Sequence, residues 1–105
     1  LMAKKYDLEP LFFIQNKTTF IPENISIVVY EPPSSISPGI SDTPENANII
    51  ASHIKEKRLA QYVLYGGNVT SENVKGFTQM PNIDGVLVGR ASLDPMEFLK
   101  IINNA

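Results

Sequence analysis

Residues 61–90, QYVLYGGNVTSENVKGFTQMPNIDGVLVGR, state a structural unit and then begin it again. The apolar run Gln61-Tyr62-Val63-Leu64-Tyr65 is short and stops at Gly66-Gly67, the form of a strand buried in a sheet. Thr70 or Ser71 can then cap the free N–H groups of a helix whose Val74 and Phe77 face inward. A second strand, Ile83-Asp84-Gly85-Val86-Leu87-Val88, ends at the turn Gly89-Arg90-Ala91-Ser92. Asp94-Pro95-Met96-Glu97 has the form of a capping box and opens a last helix with Phe98, Ile101 and Ile102 inside.

Upstream the same alternation holds. Thr43 can cap and Pro44 can open a helix running to about Arg58, with Ala47, Ile50, Ala51 and Ile54 at i, i+3, i+4 and i+7 as its buried stripe. Before it, residues 33–42 are rich in proline, serine and glycine and read as a loop. Ile25-Ser26-Ile27-Val28-Val29-Tyr30 is a β-branched strand that ends at Glu31-Pro32-Pro33, where proline removes backbone donors and holds Glu31 extended. Leu11-Phe12-Phe13-Ile14-Gln15 reads as a strand buried on both faces. Residues 16–24 are too few for a full crossover helix, so a turn or two of helix is the most expected there.

Strands alternating with helices imply an α/β fold with a parallel sheet and right-handed crossovers. Four strands in 105 residues are half the complement of an eight-stranded parallel barrel. A lone half would leave two apolar edges unpaired, so residues 1–105 are expected to form a single unit that lacks its other half. The leucine at position 1 agrees with a piece of something longer.

Composition narrows the chemistry. A hydrophobic share of 43% suits a packed core. With no cysteine and His53 as the single histidine, neither disulfides nor a metal site is expected. A net charge of -2 without clustered Lys and Arg argues against a nucleic-acid surface. Neither a membrane span nor a secretory signal is legible, so a soluble, unexported, cytoplasmic protein is expected.

In parallel sheets, reactive groups gather beyond the carboxyl ends of the strands. Those positions are Glu31 with loop 32–41, Gly66 to Val69, and Gly89 to Ser92. Glu31 is either an exposed strand end or a placed base. Gly66-Gly67 is either a tight turn, glycine tolerating positive φ, or a pair of backbone donors facing an anion. Gly89-Arg90 either aims amides at a phosphate or simply ends a strand. His53 reads as a surface residue, and Phe12, Phe13, Met80 and Met96 as packing. Lys55-Glu56-Lys57-Arg58 suits the negative end of a helix dipole and implies no ligand site.

Tyr30-Glu31-Pro32, Tyr65-Gly66-Gly67-Asn68-Val69 and Asp84-Gly85-Val86-Leu87-Val88-Gly89-Arg90-Ala91-Ser92-Leu93 resemble, in order and spacing, the last three strand-loop segments of triosephosphate isomerase. The resemblance covers residues 25–105 well and residues 1–24 loosely. It implies the C-terminal half of a TIM (β/α)8-barrel, four parallel strands with helices on the outer face. In that family, the glutamate after the sixth strand is known as the general base and works beside a neutral histidine. The resemblance places that base on Glu31.

The family's lid, known to close over the substrate, would be residues 32–40. Backbone amides that grip the substrate phosphate would be those of Ser37, Asn68, Gly89 and Arg90, with Pro32, Gly66 and Gly67 shaping the loops. No cofactor or metal is implied. The implied partners are a triose phosphate, an N-terminal half barrel and, for the completed cytoplasmic enzyme of glycolysis and gluconeogenesis, a second copy as homodimer.

The chain also departs from the family. Ser34 stands where the lid usually carries tryptophan, and Ser37-Pro38-Gly39-Ile40 replaces a glycine-threonine-glycine-lysine hinge. Pro38 fixes one φ of that hinge. Asn68 replaces the usual serine. Arg90 stands where a second glycine is common, so a positive φ there would strain the turn. The family's lysine after the first strand and histidine after the fourth have no counterpart here, so this chain alone is expected to be nearly inactive. Two other readings stay open: half of another sugar-phosphate barrel, and a non-catalytic phosphate-binding module that pairs with itself.

Overall fold

The computed structural model describes residues 5–37 and 39–105; Pro38, expected to stiffen the loop, lies outside them, as do residues 1–4. The elements run β1 (Leu11–Ile14), β2 (Ile27–Tyr30), α1 (Pro44–Glu56), β3 (Tyr62–Tyr65), α2 (Val74–Thr78), β4 (Gly85–Val86) and α3 (Pro95–Asn104). Short 3-10 turns at Pro33–Ile36 and Arg90–Leu93 follow β2 and β4. The four strands pair in sequence order and are all parallel, as the alternation implied.

Strand register decides what each face of the sheet carries. Phe12, Val28 and Val63 form one row, and Ile14, Tyr30, Tyr65 and Val86 another. Both rows join a core built with Ala47, Ile50, Ala51 and Ile54 of α1, Val74 and Phe77 of α2, and Ile101 of α3. The expected stripe of α1 is therefore the face that meets the sheet. The alternate rows point the other way, and there Leu11, Phe13 and Tyr62 are 43%, 46% and 44% exposed.

This corrects the expectation that β1 is buried on both faces. A run of consecutive apolar residues reports that both faces are apolar, not that both are covered. The helix side is covered, whereas the other face is covered only in part: Val29 is fully buried there and Leu11, Phe13 and Tyr62 are not. Phe13 is consequently half exposed, and Met96, also expected to pack, is 66% exposed.

Local chemistry sets the boundaries. The β1–β2 connection, residues 15–26, contains no helix at all. Asn16 closes its start as a side-chain turn, its Oδ1 accepting from Thr18 N at 2.9 Å, and Ile21 and Ile25 pin its far end into the core. β4 is a two-residue ladder rather than the full run 83–88, although Asp84 N to Val63 O (2.8 Å) and Leu87 N to Tyr65 O (2.9 Å) continue the pairing on both sides.

Thr43 caps α1 as expected, its hydroxyl accepting from Asn46 N at 3.1 Å. The helix stops at Glu56 rather than Arg58, because Arg58 turns left-handed at φ 56. Leu59 N then donates to Ile54 O and Arg58 N to Lys55 O, both at 3.0 Å, the bond pair of a Schellman motif.

Lys55, read only as a match to the helix dipole, also reaches Asp84 at 2.8 Å and ties α1 to the sheet. His53 is half-buried on α1 rather than fully at the surface.

At α2, Thr70 is the working cap. Its Oγ1 accepts from Asn73 N at 3.3 Å while Asn73 Oδ1 accepts from Thr70 N at 2.8 Å. The Asp94 box forms only in half. Asp94 accepts from Met96 N and Glu97 N, but the Glu97 carboxylate leaves the helix start and accepts from Ser71 N and Oγ at 2.8 and 2.9 Å. Ile101 is buried as expected, whereas Phe98 and Ile102 are 37% and 56% exposed. One residue of α3, Ile101, reaches the core, and the helix otherwise lies against the Arg90–Leu93 turn and α2, with much of its apolar surface exposed.

Candidate active site

Beyond the carboxyl ends of the strands, backbone ladder bonds run one residue past each strand and place the loops. Glu31 N donates to Ile14 O, and Gly66 N to Tyr30 O, each at 2.9 Å. Glu31 therefore leaves the sheet at the same level as Gly66. Pro32 is extended, at φ -66 and ψ 148, and the chain then folds into the Pro33–Ile36 turn, held by Ser35 Oγ donating to Pro32 O at 2.6 Å.

The glycine pair is there for space. Among the described glycines only Gly39, in the loop after β2, has positive φ, so Gly66-Gly67 is not the left-handed turn weighed in the sequence. A Cβ on Gly66 would lie 2.9 Å from Val29 Cγ1. One on Gly67 would collide with the Tyr65 hydroxyl and lie 2.8 Å from Tyr65 Cζ and 3.1 Å from Pro32 Cδ. Tyr65 Oη in turn donates to Gly67 O at 2.7 Å, so the ring folds back beneath the loop that follows its own strand.

Glu31, Gly66, Asn68, Gly89 and Arg90 line one cavity of about 400 Å³, with Ser35 and Gly39 contributing from the loop after β2. Two acidic residues, Glu31 and Glu97, thus share a pocket with backbone turns that follow three strands, on one rim of the sheet. Gly89 has φ -96 and ψ -94, and its carbonyl accepts from Ser92 N at 3.0 Å. Arg90 opens the next turn without positive φ, so the strain feared for it does not arise. The leading N–H groups of such a turn have no acceptor inside it.

Three expected positions stand outside that lining. Gly67 and Pro32 pack behind it. Ser37 belongs to the loop over it, with its N–H donating to Ser34 O at 3.4 Å.

Asn68, expected to offer its backbone, commits its side chain as well. It sits at φ 55, and its Nδ2, with two hydrogens to share, lies within hydrogen-bond reach of the carbonyls of Ser35 (3.0 Å), Ser37 (2.9 Å) and Ile40. At the far end of the same loop lies a cluster the sequence reading missed. Asp42 Oδ2 accepts from Tyr30 Oη and from Asn46 Nδ2, both at 2.7 Å, and Asp42 N donates to Tyr65 Oη at 2.8 Å. Burial pushes the Tyr65 phenol up to about 12; the Asp42 backbone bond opposes the shift and the Asp42 charge adds to it. Burial raises Tyr30 further still, helped by its bond to Asp42. A signal was available, because two tyrosines end the neighbouring strands β2 and β3, and buried phenols need partners.

Among the described residues, no group of three or more His, Asp or Glu side chains comes together to hold a metal ion, and no helix is long and apolar enough to cross a membrane. The family model described as triosephosphate isomerase matches residues 13–105. The chain belongs to the triosephosphate isomerase family. It is 44% identical over 78 residues to the triosephosphate isomerase of Mycoplasmopsis agalactiae, covering 73% of this chain and 30% of that protein. It is 36% identical over 115 residues to that of Onion yellows phytoplasma, covering 94% and 42%, and 36% identical over 107 residues to that of Mycoplasma pneumoniae, covering 87% and 44%. The chain thus spans less than half the length of these triosephosphate isomerases. Its four parallel strands with helices on one face are half a TIM barrel.

Proposed function

We propose that this chain supplies the general base and the phosphate cup of a triosephosphate isomerase that interconverts dihydroxyacetone phosphate and glyceraldehyde 3-phosphate. The supporting observation is the shared cavity, in which the Glu31 carboxylate meets the turns at Asn68 and at Gly89-Arg90. In the family's known chemistry, the glutamate takes a proton from carbon 1 of the ketone. The C–H electron pair becomes the C1–C2 double bond as the carbonyl electrons move onto oxygen 2. Return of the proton to carbon 2 and transfer of the hydroxyl proton to oxygen 2 give the aldehyde.

Amides of Asn68, Gly89 and Arg90 hold the phosphate, which suits a chain with so few cations, because backbone dipoles replace a lysine cluster. Ser37 joins them once its N–H leaves the long bond to Ser34. The enediolate oxygen needs donors from the N-terminal half, where the family keeps its lysine and histidine. The completed barrel acts as a homodimer in the cytoplasm.

The test is complementation. Co-folding with an N-terminal half barrel of the family restores turnover, and Glu31→Gln in the complex then lowers kcat by about 10²–10⁴-fold, the usual weight of a general base. A well-folded complex with no turnover would reject the proposal.

The open sheet face supports a second reading, a phosphate-binding module that pairs with itself, because Leu11, Phe13 and Tyr62 lie uncovered there. Sedimentation showing a symmetric dimer that binds inorganic phosphate but gains no turnover with an N-terminal half barrel would favour it.

A further inference from the structure

Two walls of the cavity belong to different loops. One is Asn68-Val69-Thr70 after β3, the other Gly89-Arg90-Ala91 after β4. The ladder between those strands ends with Leu87 N donating to Tyr65 O, and beyond it no hydrogen bond among the described residues joins residues 66–73 directly to residues 88–93.

The walls are joined through α3 instead. The helix follows the Arg90–Leu93 turn after a single residue, Asp94. Its Glu97 carboxylate accepts from Ser71 N at 2.8 Å and from Ser71 Oγ at 2.9 Å. From the last turn of the same helix, Asn104 Nδ2 donates to Ser71 O at 2.9 Å. Glu97, Ile101 and Asn104 share one face of α3, so Ser71 is gripped from both ends of a helix whose middle is anchored by the buried Ile101. Ser71 carries the grip onward. Its neighbour Thr70 is bonded both ways to Asn73, and Asn73 Nδ2 donates to Asn68 O at 2.9 Å.

Glu97 also lines the cavity. A carboxylate with free oxygens in that place would repel an anion, but here both oxygens are engaged by Ser71. We infer that Glu97 is a positioning residue: through Ser71 it braces the Asn68 turn against the Gly89-Arg90 turn and so sets the opening between them. A carboxylate then favours anion binding in the cavity, the opposite of its effect as a bare charge. That the anion is a phosphate rests on the function proposed above. The brace itself is read from the bonds whether or not a triose phosphate binds.

Glu97→Ala removes the brace and the charge together. Glu97→Gln removes the charge alone, because its amide oxygen can accept from Ser71 N while its nitrogen donates to Ser71 Oγ. Backbone amide exchange of this chain without ligand and titration with inorganic phosphate are the measurements. In Glu97→Ala, exchange at Thr70 and Asn73 is expected to rise by at least about tenfold while Ala47 to Ile54 of α1 keep the wild-type rate, as for a local opening. Phosphate affinity is expected to fall by about tenfold or more, since the two turns are no longer preorganised. Glu97→Gln should leave exchange unchanged and bind phosphate at least as tightly as the wild type.

Unchanged exchange at Thr70 and Asn73 in Glu97→Ala would overturn the brace. So would a parallel rise in α1, or a phosphate affinity that increases in Glu97→Ala as it would for a merely repelling wall. Equal effects in both variants would overturn it too, because charge rather than contact would then be acting. A wild-type chain that binds no phosphate counts against the proposed cup, and the exchange rates then decide the brace alone.

Discussion

Gly67 and Arg58 show opposite ways in which one backbone position limits the choice of residue. At Gly67 the obstacle is volume: an added methyl group would be driven into the Tyr65 hydroxyl and the Pro32 ring. Gly67→Ala is therefore expected to lower the unfolding free energy by about 1–3 kcal/mol, the usual range for overpacking. Urea denaturation would show it, and in a Tyr65→Phe background the loss should shrink, because the colliding oxygen is gone. An equal loss in both backgrounds would mean that the ring carbon of residue 65 or Pro32, and not the hydroxyl, decides.

At Arg58 the obstacle is conformation. The residue is held at φ 56 in the left-handed step of the Schellman motif that ends α1, where glycine is the usual occupant. Arg58→Gly is expected to raise stability by about 0.5–1 kcal/mol, read as a higher urea midpoint with an unchanged slope. A drop would show that the arginine makes a contact worth more than the strain it bears.

Elements were legible where their causes are local. The α1 stripe could be read because residues three and four apart share a helix face, and its start could be read because Thr43 is a capping type ahead of Pro44. Removing that cap by Thr43→Ala should cost about 1 kcal/mol and Thr43→Asp much less, measured by thermal unfolding. Glu31, Gly66 and Gly89 were legible as site candidates because strand ends and glycine stops mark one rim of a parallel sheet.

What escaped depended on partners. Nothing in the spacing of β1 or α3 says whether the second apolar face has a neighbour, so Phe13, Phe98 and Ile102 were placed inside and stand exposed. Glu97 has the right offset for a capping box, yet Ser71, from the preceding helix start, takes its carboxylate. The Asn68 contacts go to backbone carbonyls, which every residue possesses, so no sequence pattern could announce them.

Taken whole, the molecule is a sheet finished on one side. Helices cover the face that carries Tyr30 and Tyr65, and the two phenols sit where strands, loop and α1 meet, both bound to Asp42. That junction makes the stability of the whole chain depend on alkaline pH. An exposed tyrosine in the unfolded chain loses its proton near pH 10, while burial in the folded protein pushes Tyr65 up to about 12 and raises Tyr30 as well.

Between those values the native state binds more protons than the unfolded one, so the unfolding free energy must fall as pH rises. The stabilisation is complete below about pH 10 and drains away above it. Urea midpoints measured from about pH 8 to about pH 11 should be level at first and then decline, and Tyr65→Phe should make the decline shallower although it lowers the neutral-pH midpoint. If the decline keeps the wild-type slope in Tyr65→Phe and again in Tyr30→Phe, the phenols are not its source.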